Sequence, residues 1–248
     1  LQEILEDVPA DITRFSFPYD YARDEFGNCV ALHDRERLMR TSAEWRWEGR
    51  LHEVVVTDRL GGWGRDKDIL IYHHRTPGGH ERNIRILEKW VRDEPLNIRV
   101  WLFLANQYYS NGEQVKAAQW YQRFYSRTDA NPLDRWMAFK YGAKAWRTLG
   151  HFTEANRCAM DMIYSFPDWV DGYLEMCDNC CKLGNWDQAI SWGELALQRQ
   201  EPMPQAMTNP MEYRFSIFEL LQIAYANVGR FDDALDACDQ ALSVRPGQ

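Results

Sequence analysis

Five of the six histidines, at positions 33, 52, 73, 74 and 80, fall within the first 80 of 248 residues, where an even spread would put about two. Imidazole suits both metal binding and proton transfer near neutral pH, so this crowding marks where chemistry would sit. Two groupings stand out. The first is Trp45-Arg46-Trp47-Glu48-Gly49-Arg50-Leu51-His52-Glu53. On a strand, alternation sends His52 and Glu53 to opposite faces, and the two share a task only if the strand bulges or ends there. The second is Ile69-Leu70-Ile71-Tyr72-His73-His74-Arg75-Thr76, an apolar strand ending in adjacent imidazoles that opens into Pro77-Gly78-Gly79. Strand ends that open into loops commonly carry functional groups. Each grouping also has a plain alternative, His73 and His74 as a hydrogen-bonded strand cap and Glu53 as a solvent-facing charge. No His follows Glu53 at metalloprotease spacing, and no G-x-S-x-G elbow, P-loop or G-x-G-x-x-G is present. Gly61-Gly62-Trp63-Gly64 reads as a loop.

The elements that must position these groups change character near residue 80. Before it, segments 12–21, 28–40, 45–57 and 67–75 combine β-branched and aromatic residues with partial alternation, which predicts four strands in a mixed or antiparallel sheet. From Glu81 onward the apolar residues recur at three and four. Ile84, Leu87, Trp90 and Val91 form one face of a helix that Pro95 closes.

The remainder repeats. Gly112, Gly150, Gly184 and Gly229 are spaced by 38, 34 and 45 residues, and each is followed five residues later by Ala117, Ala155, Ala189 or Ala234. Four residues before each glycine stands Tyr108, Trp146, Cys180 or Tyr225, and Pro167, Pro202 and Pro246 close the later units. A glycine ends one helix at little steric cost, and an alanine lets a second pack closely against it. This pattern resembles the tetratricopeptide repeat, whose period is about 34 residues, and predicts about four helical pairs. Cys177 and Gln222 replace an expected small residue, and the surplus of the last spacing maps onto the Pro- and Met-rich segment 201–213.

Such a solenoid offers a concave face for a peptide or protein, and tryptophans 101, 120, 136, 146, 169, 186 and 192 are the residues to examine there. Trp101 and Trp146 fall at repeat positions that pack between helices; for Trp136, Trp169 and Trp186, packing and partner contact both stay open. Cys177, Cys180 and Cys181 include a C-x-x-C, but no second pair supplies further ligands, so packing is the expectation.

Composition excludes other classes. With 37 acidic against 29 basic residues the net charge is −8, which gives little attraction to nucleic acid or anionic membrane. No apolar run reaches the roughly 18 residues of a membrane span, and the first 30 residues lack signal-peptide order. Six scattered cysteines in a chain of this size point to free thiols in a reducing, cytoplasmic setting. Aromatic residues reach 14%, more than a core of this size requires, so some are expected to face a groove or a partner.

The joint order RERLMRTSAEWRWEGRLHE, DILIYHHRT, ERNIRILEKWVRDEP and RVWLFLANQYYSNGEQVKAAQWYQR is similar to the carboxyl-terminal part of family 2 glycosyltransferases, of bacterial or phage type, that carry tetratricopeptide repeats. The resemblance implies an α+β chain. Residues 1–80 would be the acceptor-side part of an A-type glycosyltransferase sheet, and 81–248 the all-α repeat domain. It further implies inverting transfer of a sugar from a nucleotide-sugar donor to a protein or glycan acceptor, with Mg²⁺ or Mn²⁺ bridging the diphosphate. Carried over, Glu53 would be the general base, with Asp24 or Glu25 as substitutes. His73, with His74 as second choice, would contact the metal or diphosphate. His52, Trp47 and Arg50 would shape the acceptor end, and Arg75 would pair with a phosphate. Because the chain starts at Leu1 and the Asp-x-Asp half would precede it, the resemblance implies a fragment that needs an N-terminal donor-binding half for activity. The alternative is a non-catalytic tetratricopeptide-repeat interaction module in which the first 80 residues cap the solenoid.

Overall fold

A computed structural model describes residues 8–74 and 79–244. The chain divides into two compact units, Leu1–Pro77 with Met203–Asn209, and Gly78–Pro202 with Pro210–Gln248.

The first unit is built on β1 (Ile12–Arg23), whose alternating ITRFSFPYDY run is buried on both faces, through Phe17 and Tyr19 on one and Ser16 and Asp20 on the other. On one side it pairs antiparallel with β2 (Cys29–Met39). On the other it pairs in parallel with β5 (Gly62–Arg65) and then β6 (Ile71–Tyr72), giving a mixed four-stranded sheet. A separate hairpin joins β3 (Arg46–Glu48) to β4 (Val54–Val56). The free edge of β2 does not stay open. Segment Met203–Asn209 lies against it, with hydrogen bonds of 2.9 Å both ways between Leu32 and Thr208 and from the Asp34 N–H to the Pro204 carbonyl. The surplus residues of the last repeat spacing thus supply the cover that an unpaired edge needs.

Three strand expectations are corrected. Segment 45–57 is a hairpin, because Gly49 (φ 117°) and His52 (φ 56°) adopt positive φ and reverse the chain. Among the described residues of segment 67–75, Ile71 and Tyr72 alone form a strand, β6. Gly61-Gly62-Trp63-Gly64 enters the sheet as β5, where the glycines permit close approach to β1. A Cβ on Gly61 would stand 2.1 Å from Thr13, and one on Gly64 2.4 Å from the Phe15 ring.

The second unit holds nine α-helices among the described residues. α1 (His80–Asp93) packs against the helix after it and is followed by four antiparallel pairs: α2 (Ile98–Ser110) with α3 (Gln114–Tyr125), α4 (Pro132–Thr148) with α5 (Phe152–Ser165), α6 (Val170–Leu183) with α7 (Trp186–Leu197), and α8 (Ile217–Asn227) with α9 (Phe231–Val244). A π-helical turn, Glu212–Ser216, leads into α8. Gly112, Gly150, Gly184 and Gly229 each take φ between 74° and 79° just past a first helix. The next N–H then closes onto a carbonyl five residues back, as from Glu113 to Tyr108 and from Asn185 to Cys180, both 2.9 Å. The repeat alanines Ala117, Ala155, Ala189 and Ala234 are buried between the paired helices.

Candidate functional site

The hairpin places its chemistry at the surface. Trp47 is 71% exposed, and His52, Glu53 and Arg50 lie exposed in the turn between β3 and β4. Arg46 ties the hairpin together through Glu48 at 2.9 Å and Asp58 at 2.8 Å. His73, just beyond β6, belongs to the other sheet. It is stacked on Tyr21 with ring centroids 5.0 Å apart, and its Nδ1 shares a 2.7 Å hydrogen bond with the Tyr19 hydroxyl. His74 is exposed, and Arg75 lies outside the described residues. Asp24 accepts hydrogen bonds from the Phe26 and Asn28 N–H groups and so shapes the β1–β2 turn, in which Glu25 is exposed.

These positions do not fit the metal that the resemblance implies. Mg²⁺ and Mn²⁺ prefer oxygen ligands. Among the described residues no three His, Cys, Asp or Glu side chains converge, and the Nδ1 of His73 is committed to a tyrosine hydroxyl. His33 belongs to neither of the two sequence groupings. It is buried on β2 against Tyr19 and Tyr21, and burial, helped by Arg35 and Arg37, pulls its pKa down to about 4.

The largest cluster of ionised groups lies instead in the repeats. On α4 the cations Lys140, Lys144 and Arg147 follow i, i+4, i+7 spacing, so all three share one helix face. On α6 the carboxylates Asp171, Glu175 and Asp178 repeat that spacing 31 residues later. The rungs meet in order, Lys140 to Asp171 at 2.6 Å, Lys144 to Glu175 at 3.8 Å and Arg147 to Asp178 at 2.8 Å. Arg147 also reaches Glu175 at 2.6 Å and donates to Asn179 at 2.9 Å. From the π-helical turn Glu212 accepts from Lys140 and Lys144, and the Tyr213 hydroxyl donates to Asp171 at 2.9 Å. Lys140 and Asp171 are each only 1% exposed. Burial alone would raise the Glu212 carboxyl, but the two lysines outweigh it and hold its pKa at about 2. Burial alone would likewise discharge Lys140, yet Asp171 and Glu212 hold it well above the ordinary lysine range. The ladder sets three cations against four carboxylates in buried and half-buried positions, so its charges are largely spent on one another and it shapes this end of the first-helix face.

Toward α2 the same face is open. Asn106 donates to the Met137 sulfur at 3.6 Å, and Tyr109 meets Tyr141 edge to face at 5.3 Å. Phe103, Asn106, Met137 and Tyr141 are half-buried there, with side chains partly open to solvent. Most of the repeat tryptophans are engaged in ring contacts. Trp101 and Trp136 are buried, Trp120, Trp146, Trp169, Trp186 and Trp192 are half-buried, and ring contacts such as Trp101 with Trp120 and Phe166 with Trp169 account for them. Cys177 and Cys180 are buried free thiols, and all six cysteines are unpaired. No helix among the described residues is long and apolar enough to cross a membrane.

No protein-family model and no curated protein matches the chain. Solved structures do. The chain is similar to the MamA protein with TM-score 0.53 at 18% identity, covering 67% of this chain and 82% of that one. It is similar to YrrB, described as a TPR protein with an unusual peptide-binding site, with TM-score 0.51 at 13% identity, covering 68% and 79%. It is similar to a chain of the APC/C hetero-tetramer Cut9–Hcn1 with TM-score 0.53 at 18% identity, covering 68% of this chain and 31% of that one. The repeat unit is thus a TPR-like helical solenoid. At these identities the likeness is one of fold. The glycosyltransferase expectation is overturned, because the structural likeness runs to helical-repeat structures such as the TPR protein YrrB, and no family model, of a glycosyltransferase or otherwise, matches. With it goes the enzymatic assignment, and the nucleotide-sugar donor is left without support.

Proposed function

We propose that this chain is a non-catalytic protein-interaction module whose repeat unit holds a peptide or a protein segment along the first-helix face of α2 and α4. The observation that carries this reading is the contrast within that face. Between α4 and α6 the half-buried Lys144, Arg147 and Asp178 are tied up in ion pairs with one another and with Glu175 and Glu212. Between α2 and α4, Phe103, Asn106, Met137 and Tyr141 keep part of their surface in water. An amide beside aromatic and thioether surface is the chemistry that grips an extended peptide, the amide hydrogen-bonding its backbone and the apolar groups taking its side chains. The peptide-binding description of YrrB supports the same use of a related fold.

Selection of a displayed random-peptide library on the full chain tests this. Recovered peptides should bind with micromolar affinity, and Asn106→Ala or Met137→Ala should weaken them about tenfold, as loss of a central interface residue does. Recovery of no binder, or binders indifferent to both substitutions, would contradict the assignment.

A further inference from the structure

Three second helices bury the ninth residue after the repeat glycine under the next first helix, while the thirteenth is buried in α3, half-buried in α5 and, as Leu197, exposed in α7. Tyr121 and Tyr125 of α3 lie against Gly142 of α4, Ala159 and Ile163 of α5 against Gly172 of α6, and Gly193 of α7 against Leu221 of α8. Counted from the repeat glycines, Cys238 and Leu242 of α9 are the fourth set. With Phe231 and Leu235 they form an i, i+4, i+7, i+11 stripe on the face of α9 adjoining its buried alanines, Ala234, Ala237 and Ala241. Phe231 is 66% and Leu235 64% exposed, whereas Ile190, the counterpart of Leu235 in α7, is 6% exposed. Along the outer border of the stripe run Asp232, Asp236 and Asp239, one on each turn, and these make no ion pair among the described residues.

We propose that this stripe is a docking seat for an amphipathic α-helix of a partner protein that carries Lys or Arg on the flank facing Asp232, Asp236 and Asp239. Each inner seat of the solenoid takes a helix, so the shape of the surface specifies one. The row of carboxylates specifies the sign of its flank. Symmetric pairing with a second copy is disfavoured, because it would set aspartates against aspartates. The proposal concerns a second helix and does not rest on the peptide-binding reading of α2 and α4.

The chain itself supplies two matched probes. Residues 132–148 fill a seat of this kind and carry Arg135, Lys140, Lys144 and Arg147 against Asp134. Residues 170–183 fill another but carry Asp171, Glu175 and Asp178 against Lys182. As end-blocked, fluorescently labelled peptides titrated with the intact protein under reducing conditions, the first should bind at least about tenfold more tightly than the second, and less tightly as salt rises. Leu235→Glu, at an exposed position, should leave the circular dichroism unchanged and weaken the first peptide about tenfold or more. The triple variant D232K/D236K/D239K should remove or reverse the preference between peptides. Failure of both peptides to bind, equal binding of the two, or indifference to Leu235→Glu would overturn the proposal. So would self-association in sedimentation that Leu235→Glu abolishes while neither peptide binds, since a second copy would then be the occupant.

Discussion

Lys140 is a cation taken out of water and answered on three sides, by Asp171, Glu212 and the Tyr213 hydroxyl. Removing one partner from such a cluster leaves the others charged and dry, and this costs more than the cluster contributes as a whole. Lys140→Met should therefore destabilise the repeat unit by about 3–5 kcal/mol in urea unfolding, and adding Asp171→Leu and Glu212→Leu should restore much of that loss. If the triple variant is less stable than Lys140→Met alone, the ladder is held by something other than mutual neutralisation. His33 gives the sheet unit its own pH dependence. Its folded pKa of about 4 lies below the ordinary 6.5, so the fold favours the neutral ring. The resulting stability is complete above about pH 6.5 and is lost as pH falls toward 4, by about 3 kcal/mol over the full window. Hydrogen exchange of β1 and β2 amides should show protection falling between pH 7 and 5, and His33→Phe should flatten that trend. Glu212 acts lower on the scale. Its carboxyl is depressed from 4.5 to about 2, so its contribution is present above pH 4.5 and lost as pH drops through 2.

At the scale of elements, the helices were legible because one physical requirement recurs. Each first helix must end in a left-handed residue, which glycine supplies at 112, 150, 184 and 229, and each second helix must offer a small contact, which alanine supplies five residues on. The ladder could have been read in the same way, since Lys140, Lys144 and Arg147 meet Asp171, Glu175 and Asp178 at one constant offset. The strands were less legible because their glycines had two meanings. Gly49 makes a turn, whereas Gly61 and Gly64 clear space against β1. Close approach also decides the helix crossings. A Cβ on Gly172 would fall 2.9 Å from the Ala159 carbonyl oxygen and 3.0 Å from the Ile163 nitrogen, backbone that cannot step aside. At Gly142 the nearest atoms are Tyr125 and Tyr121 side-chain carbons at 3.3 and 3.4 Å. Gly172→Ala should therefore cost about 1–3 kcal/mol by forcing α5 and α6 apart. Gly142→Ala should cost clearly less. Thermal unfolding of the two variants side by side checks the order, and equal losses would contradict it.

For the whole molecule, the functional residues were the least legible part, because short strings that resemble an enzyme motif serve the local fold here. The W-x-G-x-x-H-E string holds a hairpin turn in which Gly49 and His52 take positive φ, and the I-x-H string sets His73 onto Tyr19 and Tyr21. A motif that the backbone already explains carries no separate information about chemistry. What distinguishes a binding surface from a packed one is exposure, and a single sequence does not print exposure. Of the repeat tryptophans, the most conspicuous candidates, Trp101 and Trp136 are buried and the others half-buried, most of them against neighbouring rings, while Phe103, Asn106, Met137 and Tyr141 are half-buried on the α2–α4 face. The most direct test of the interaction-module account replaces Met137 with a photo-reactive amino acid and irradiates the full chain with a library-selected peptide. Met160, exposed on α5, provides the control position. The account predicts covalent capture from position 137 and little from 160. Capture from 160 alone, or from neither position while the peptide still binds, would contradict it.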